Sequence, residues 1–67
     1  MENAFMQMER LLRLDDVRNI TTLSRSEIYR RIKEGSFPKQ VRLSHRRAVW
    51  RQCEIQNWME RSLQGHL

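Results

Sequence analysis

Residues 23–51 read LSRSEIYRRIKEGSFPKQVRLSHRRAVWR, and the reading of this stretch decides the fold. Ser24-Arg25-Ser26-Glu27 has the form of a capping box. The Ser24 hydroxyl can accept from the Glu27 N–H, while the Glu27 side chain reaches back to Ser24. Leu23 just before the cap and Ile28 four residues after it are spaced as a hydrophobic staple. Gly35 stops the helix, because glycine accepts a left-handed conformation without a side-chain clash, and Pro38 prevents it from resuming. Ile28 and Ile32, one turn apart, should face inward. That leaves Arg25, Ser26, Arg30 and Lys33 on the outer face. Tyr29 is either an outward polar contact or a half-buried packing residue.

After Pro38 the period changes to two. Val41 and Leu43 alternate with Gln40, Arg42 and Ser44, and Ala48, Val49 and Trp50 follow Arg47. Alternation and β-branched residues about a polar tip predict a β-hairpin. The tip, Ser44-His45-Arg46, has no Asn-Gly or Gly-rich turn, so its loop type stays open. From Gly35 to Cys53 no acidic residue occurs, while Lys39, Arg42, Arg46, Arg47 and Arg51 all fall there.

Working outward, Leu14, Val17, Ile20 and Thr21 fit one face of a short helix. Asp15 and Asp16 occupy its first turn, where the helix dipole favours negative charge. Thr22-Leu23-Ser24 then forms a tight turn into the capped helix. Two helices of about eight and ten residues joined this way make a helix-turn-helix pattern. Downstream, residues 52–63 predict a last helix with Ile55, Trp58, Met59 and Leu63 on one stripe, and such a stripe normally buries against the domain. Trp50 and Trp58 are expected to fill the core between hairpin and last helix. Residues 1–9 are expected to form a flexible arm, residues 10–64 the domain, and residues 65–67 a tail.

The chain has 67 residues, enough for one small domain. A domain of that size buries about 60% of its unfolded surface and has no room for both a core and a deep catalytic pocket. Its net charge is +5 at pH 7, which favours an acidic polymer as partner. A membrane-surface peptide would need one long amphipathic helix, and Gly35 and Pro38 break the chain instead. The single cysteine, Cys53, excludes an internal disulfide. Cys53, His45 and His66 do not form a zinc-spaced cluster, so neither a metal nor a cofactor is expected. No apolar run is long enough for a signal or a membrane span, and a cytoplasmic location is the expectation. There is no Ser/His/Asp set, Cys/His pair or phosphate loop to suggest an enzyme. A single-stranded nucleic-acid binder would need exposed aromatics on a sheet face. Five aromatic residues, two of them core tryptophans, leave few for that.

Three motifs carry a resemblance: LLRLDDV, TLSRSEIYRRIKEGSFPKQVRLSHRRAVWR and EIQNWM. Over about residues 10–63 the chain resembles the AlpA-type prophage regulators, relatives of small phage excisionases with a MerR-like winged helix-turn-helix fold. The run SRSEIYRRIKEGSFPK followed by W-R-x-x-E-I-x-x-W is specific in combination. The resemblance implies a mainly α fold with a small β-hairpin. It also implies double-stranded DNA binding, in promoters or attachment-site repeats. The role would be activator of an integrase gene, excisionase, or both, with integrase or RNA polymerase as further partners and self-association on DNA. The chain departs from the pattern at Thr22, and at the Ser44-His45-Arg46 tip, both places where glycine is common.

On this reading the second helix enters the major groove, where the N-terminal side chains of such a helix reach base edges. Arg25, Ser26 and Arg30 are the candidates for bases, Tyr29 and Lys33 for phosphates. The free N–H groups around Ser24 offer a further phosphate contact. Lys39, Arg42, His45, Arg46 and Arg47 form the wing set, aimed at backbone or the adjacent minor groove, where arginine is favoured. The competing reading is a small protein-interaction module or inhibitor that works through the C-terminal helix face.

Overall fold

The computed structural model of the protein describes residues 10–65. The arm assigned to residues 1–9, and His66 and Leu67 of the tail, lie outside the described residues. In chain order the elements are β1 (Leu11–Leu12), α1 (Leu14–Thr21), α2 (Arg25–Glu34), β2 (Val41–Ser44), β3 (Arg47–Arg51) and α3 (Gln52–Gln64). The fold is mainly α with a small antiparallel sheet, a winged helix-turn-helix.

Helix α1 starts where the Asp16 carboxylate accepts the Arg13 N–H at 3.0 Å. It stops at Thr22, whose φ of 64° is left-handed and whose N–H donates to the Arg18 carbonyl at 2.8 Å. This is the αL helix stop that glycine usually occupies. The threonine here adopts that conformation against its own preference.

Helix α2 starts as the capping box requires. The Glu27 N–H donates to Ser24 Oγ at 3.1 Å, and the Ser24 N–H donates to Glu27 Oε1 at 3.1 Å. It ends in a Schellman arrangement. Gly35 takes φ 83°, its N–H donates to the Ile32 carbonyl, and the Ser36 N–H donates to the Arg31 carbonyl.

The hairpin pairs Val41 with Val49, Arg42 with Ala48 and Ser44 with Arg47. Leu43 is the extra residue, a bulge in β2. Among the described residues Thr22 is the only non-glycine with positive φ, so neither His45 nor Arg46 adopts the conformation that primed hairpin turns require. The bulge supplies the local twist instead. The tip thus dispenses with glycine for a reason that does not hold at Thr22.

The sheet has a third strand that periodicity does not reveal. Leu11 pairs with Arg51 and Leu12 with Trp50, giving the order β1-β3-β2. The Gln52 N–H extends the pairing to the Arg10 carbonyl at 2.9 Å. Two residues are too few to show alternation.

The core joins Leu12, Val17, Ile28, Phe37, Trp50 and Ile55, with Leu14, Leu23, Tyr29, Ile32, Trp58 and Met59 packed against it. Two expectations need correcting. Ile20 is 40% exposed and Leu63 72% exposed. The inward face of α1 centres on Val17, and Ile20 sits at its margin, beside a shallow cleft shared with Leu12, Ile55 and Met59. Leu63 lies two turns beyond Ile55, about 12 Å further along the axis, past the end of so small a core.

Candidate nucleic-acid interface

The capping box sets the phase of α2, and the phase decides what its surface carries. With Ile28 fully buried, Ser24, Arg25, Ser26, Arg30 and Lys33 are all exposed. Tyr29 is half-buried, and its ring stands edge-on to Trp50 with centroids 6.4 Å apart. Of the two readings open for Tyr29, packing is therefore satisfied. The ring also supports a surface cation, because the Arg25 guanidinium carbon lies 5.9 Å from its centroid. Such a contact restrains a long side chain that would otherwise sample many rotamers. Arg30 is held by Glu34, Nη1 to Oε2 at 3.5 Å.

At the start of α2 the Glu27 carboxyl is held below its usual 4.5. The hydrogen bond from the Ser24 backbone N–H is the main cause. The Ser24 hydroxyl and the nearby charges of Arg31 and Arg30 act in the same direction.

In the wing, Lys39, Arg42, His45, Arg46 and Arg47 are exposed, as is every residue of β2. Arg42 Nη1 donates to the His45 carbonyl at 3.4 Å, bracing the tip from below. The helix set and the wing set are linked through Tyr29 and Trp50, the first on α2 and the second on β3.

Phe37 is a residue the sequence reading passed over. It is 6% exposed, and its ring packs edge-on against Trp58 at 4.7 Å. Its position in a short Gly…Pro connection carries no periodicity, and its apolar character beside Pro38 was the one available signal. Arg31 was also unassigned. Its Nε is buried without a hydrogen-bond partner, and its charge acts on Glu27. Among the described residues no group of three or more His, Cys, Asp or Glu side chains comes together. No helix there is long and apolar enough to cross a membrane.

A helix-turn-helix with an exposed basic second helix, followed by a basic hairpin over a tryptophan core, defines a winged helix-turn-helix protein. The chain belongs to the AlpA family: residues 10–63 match the family described as "Prophage CP4-57 regulatory protein (AlpA)". That family comprises DNA-binding regulators, not enzymes. The chain is 40% identical over 57 residues to "Uncharacterized protein ORF88" of Enterobacteria phage P4, an alignment covering 85% of this chain. It spans 65% of that relative's length. No solved structure matches the chain.

Proposed function

We propose that this protein binds double-stranded DNA in a sequence-dependent way, with α2 in the major groove and the β2–β3 wing against the adjacent backbone or minor groove. The carrying observation is the exposed basic set on two successive elements. Arg25, Ser26, Arg30 and Lys33 crown α2, and Arg42, His45, Arg46 and Arg47 crown the wing. Arg25, Ser26 and Arg30 read bases, where a paired arginine–guanine contact discriminates by about 1–3 kcal/mol. Lys33, Lys39 and the wing cations neutralise phosphates. Tyr29 supports Arg25 and offers its hydroxyl to the backbone.

The biological role is regulation of prophage genes, as an activator of an integrase gene, as an excisionase acting with integrase, or as both. An activator works with RNA polymerase. Either role suits copies that associate on neighbouring DNA sites. The alternative, a protein-interaction module working through the last helix, is weakened by the packing of that helix. Ile55, Trp58 and Met59 are spent on the core, leaving Leu63 as the exposed member of the stripe.

The test is duplex binding across a salt series, with promoter and attachment-site DNA flanking the gene and a shuffled control. Neutralising about six phosphates makes affinity fall by orders of magnitude between low and physiological salt. A steep slope with a clear preference for the native probe supports the proposal. Equal, weak binding to both probes overturns it.

A further inference from the structure

Helix α2 and the wing are joined by residues 35–40, and three consecutive residues of that connection are fastened to other elements. Trp58 Nε1 of α3 donates to the Ser36 carbonyl at 2.8 Å. The Phe37 ring packs against the Trp58 ring. Trp50 Nε1 of β3 donates to the Pro38 carbonyl at 3.1 Å. The connection and α3 together line an open groove of about 790 Å³, in which Trp58 stands beside Glu54, Asn57 and Arg61. Within that groove the Trp58 side chain is what ties the connection to α3.

From this arrangement we infer that Trp58 is a positioning residue for DNA recognition. It sets the separation and angle between α2 and the wing, while its own side chain faces the connection. The inference rests on the proposed DNA-binding reading. A site that must engage two grooves of a duplex at once tolerates displacements of only about 0.5 Å and 10–20° in its supporting elements. The Ser36 carbonyl lies immediately beyond the Schellman stop of α2, and the Pro38 carbonyl two residues nearer the wing. Anchoring both carbonyls and the ring between them removes the backbone freedom that the six-residue link otherwise has. Trp58 is half-buried, so its ring can be replaced without opening the centre of the core, which Trp50 fills.

Trp58→Phe removes the indole N–H and keeps an aromatic ring against Phe37. The expected result is about a tenfold loss of affinity for the native probe, with unchanged affinity for the shuffled control and an unchanged salt slope. The same phosphate contacts remain available, and only their joint placement with the base contacts is lost. Spin labels at Ser26→Cys and His45→Cys, in a Cys53→Ser background and without DNA, should give a narrow distance distribution that broadens when Trp58→Phe is added. Unchanged preference for the native probe together with an unbroadened distribution would overturn the inference and leave the DNA-binding reading standing. Absence of any salt-dependent duplex binding by the unsubstituted protein would overturn that reading itself, whatever the labels report. If Trp58→Phe does not fold, hydrogen exchange of the Trp58 indole N–H in the unsubstituted protein decides. Strong protection supports the anchor, and exchange as fast as an exposed indole overturns it.

Discussion

The Arg30 guanidinium meets the Glu34 carboxylate at 3.5 Å, one turn apart on the exposed face of α2. Both side chains are more than half exposed, and a pair of this kind adds only about 0.3–0.5 kcal/mol to stability. Its larger consequence is electrostatic, since Glu34 puts a negative charge beside a cation proposed to read bases. Glu34→Gln should raise affinity for duplexes of any sequence about two- to fivefold and narrow the preference for the native site. Filter binding on native and shuffled probes checks it. Weaker binding by the variant would mean that Glu34 orients Arg30 for its contact.

Arg30→Ala and Arg46→Ala separate the two halves of the interface. Arg30→Ala should cost about 1–3 kcal/mol on the native site and relax preference at one base position. Arg46→Ala should weaken binding uniformly across sequences and lower the salt slope by about one. Both residues are exposed, so melting should shift by no more than about 0.5 kcal/mol equivalent. Normal binding by both variants would place the interface elsewhere.

The helix start gives a pH signature. The Glu27 carboxyl accepts from Ser24 in the folded protein, so its pKa there lies below the unfolded 4.5. A group depressed on folding contributes stability that is complete above its unfolded pKa and is lost as pH falls through its folded pKa. Melting temperature should therefore fall on acidification below about pH 4.5. Glu27→Gln keeps the capping geometry and does not titrate, so it should flatten that limb. An acid limb identical in the variant would assign the loss to other carboxylates. Ser24→Ala should cost about 1 kcal/mol at neutral pH through the lost cap.

Thr22 occupies a left-handed stop at φ 64°. Non-glycine residues there carry a cost of about 1–2 kcal/mol, partly offset in a glycine variant by greater unfolded-state entropy. Thr22→Gly should stabilise the fold by about 1 kcal/mol net, raising the melting temperature by about 4–8 °C. A lower melting temperature would mean that the Thr22 hydroxyl, which donates to the Thr21 carbonyl, contributes more than the backbone loses.

How much was legible in the chain follows from the range of the interactions involved. The cap of α2 joins Ser24 to Glu27 and its stop joins Gly35 to Ile32, both within three residues. Neighbouring residue types therefore determine them, and with them the outward phase of Arg25, Ser26, Arg30 and Lys33. The alternation of the hairpin and its lack of acidic residues are local in the same sense. Strand β1 is different: Leu11 and Leu12 become a strand because Trp50 and Arg51 lie alongside, and no pattern in two residues can announce that. The exposure of Leu63 is likewise set by where the core ends, since its place on the helical stripe is the same as that of Ile55.

The sequence by itself determined the capped basic helix, the hairpin and the family. Each is written in short-range spacing, where one residue's hydrogen bond or turn geometry is satisfied by a near neighbour. Only the tertiary structure decided how the two basic elements are held relative to each other. Ser36, Phe37 and Pro38 find their partners in Trp58 and Trp50, 22 residues away for Trp58 and Ser36 and 12 for Trp50 and Pro38. Such contacts form when folded elements exclude water between them, and no local pattern encodes which indole will meet which carbonyl.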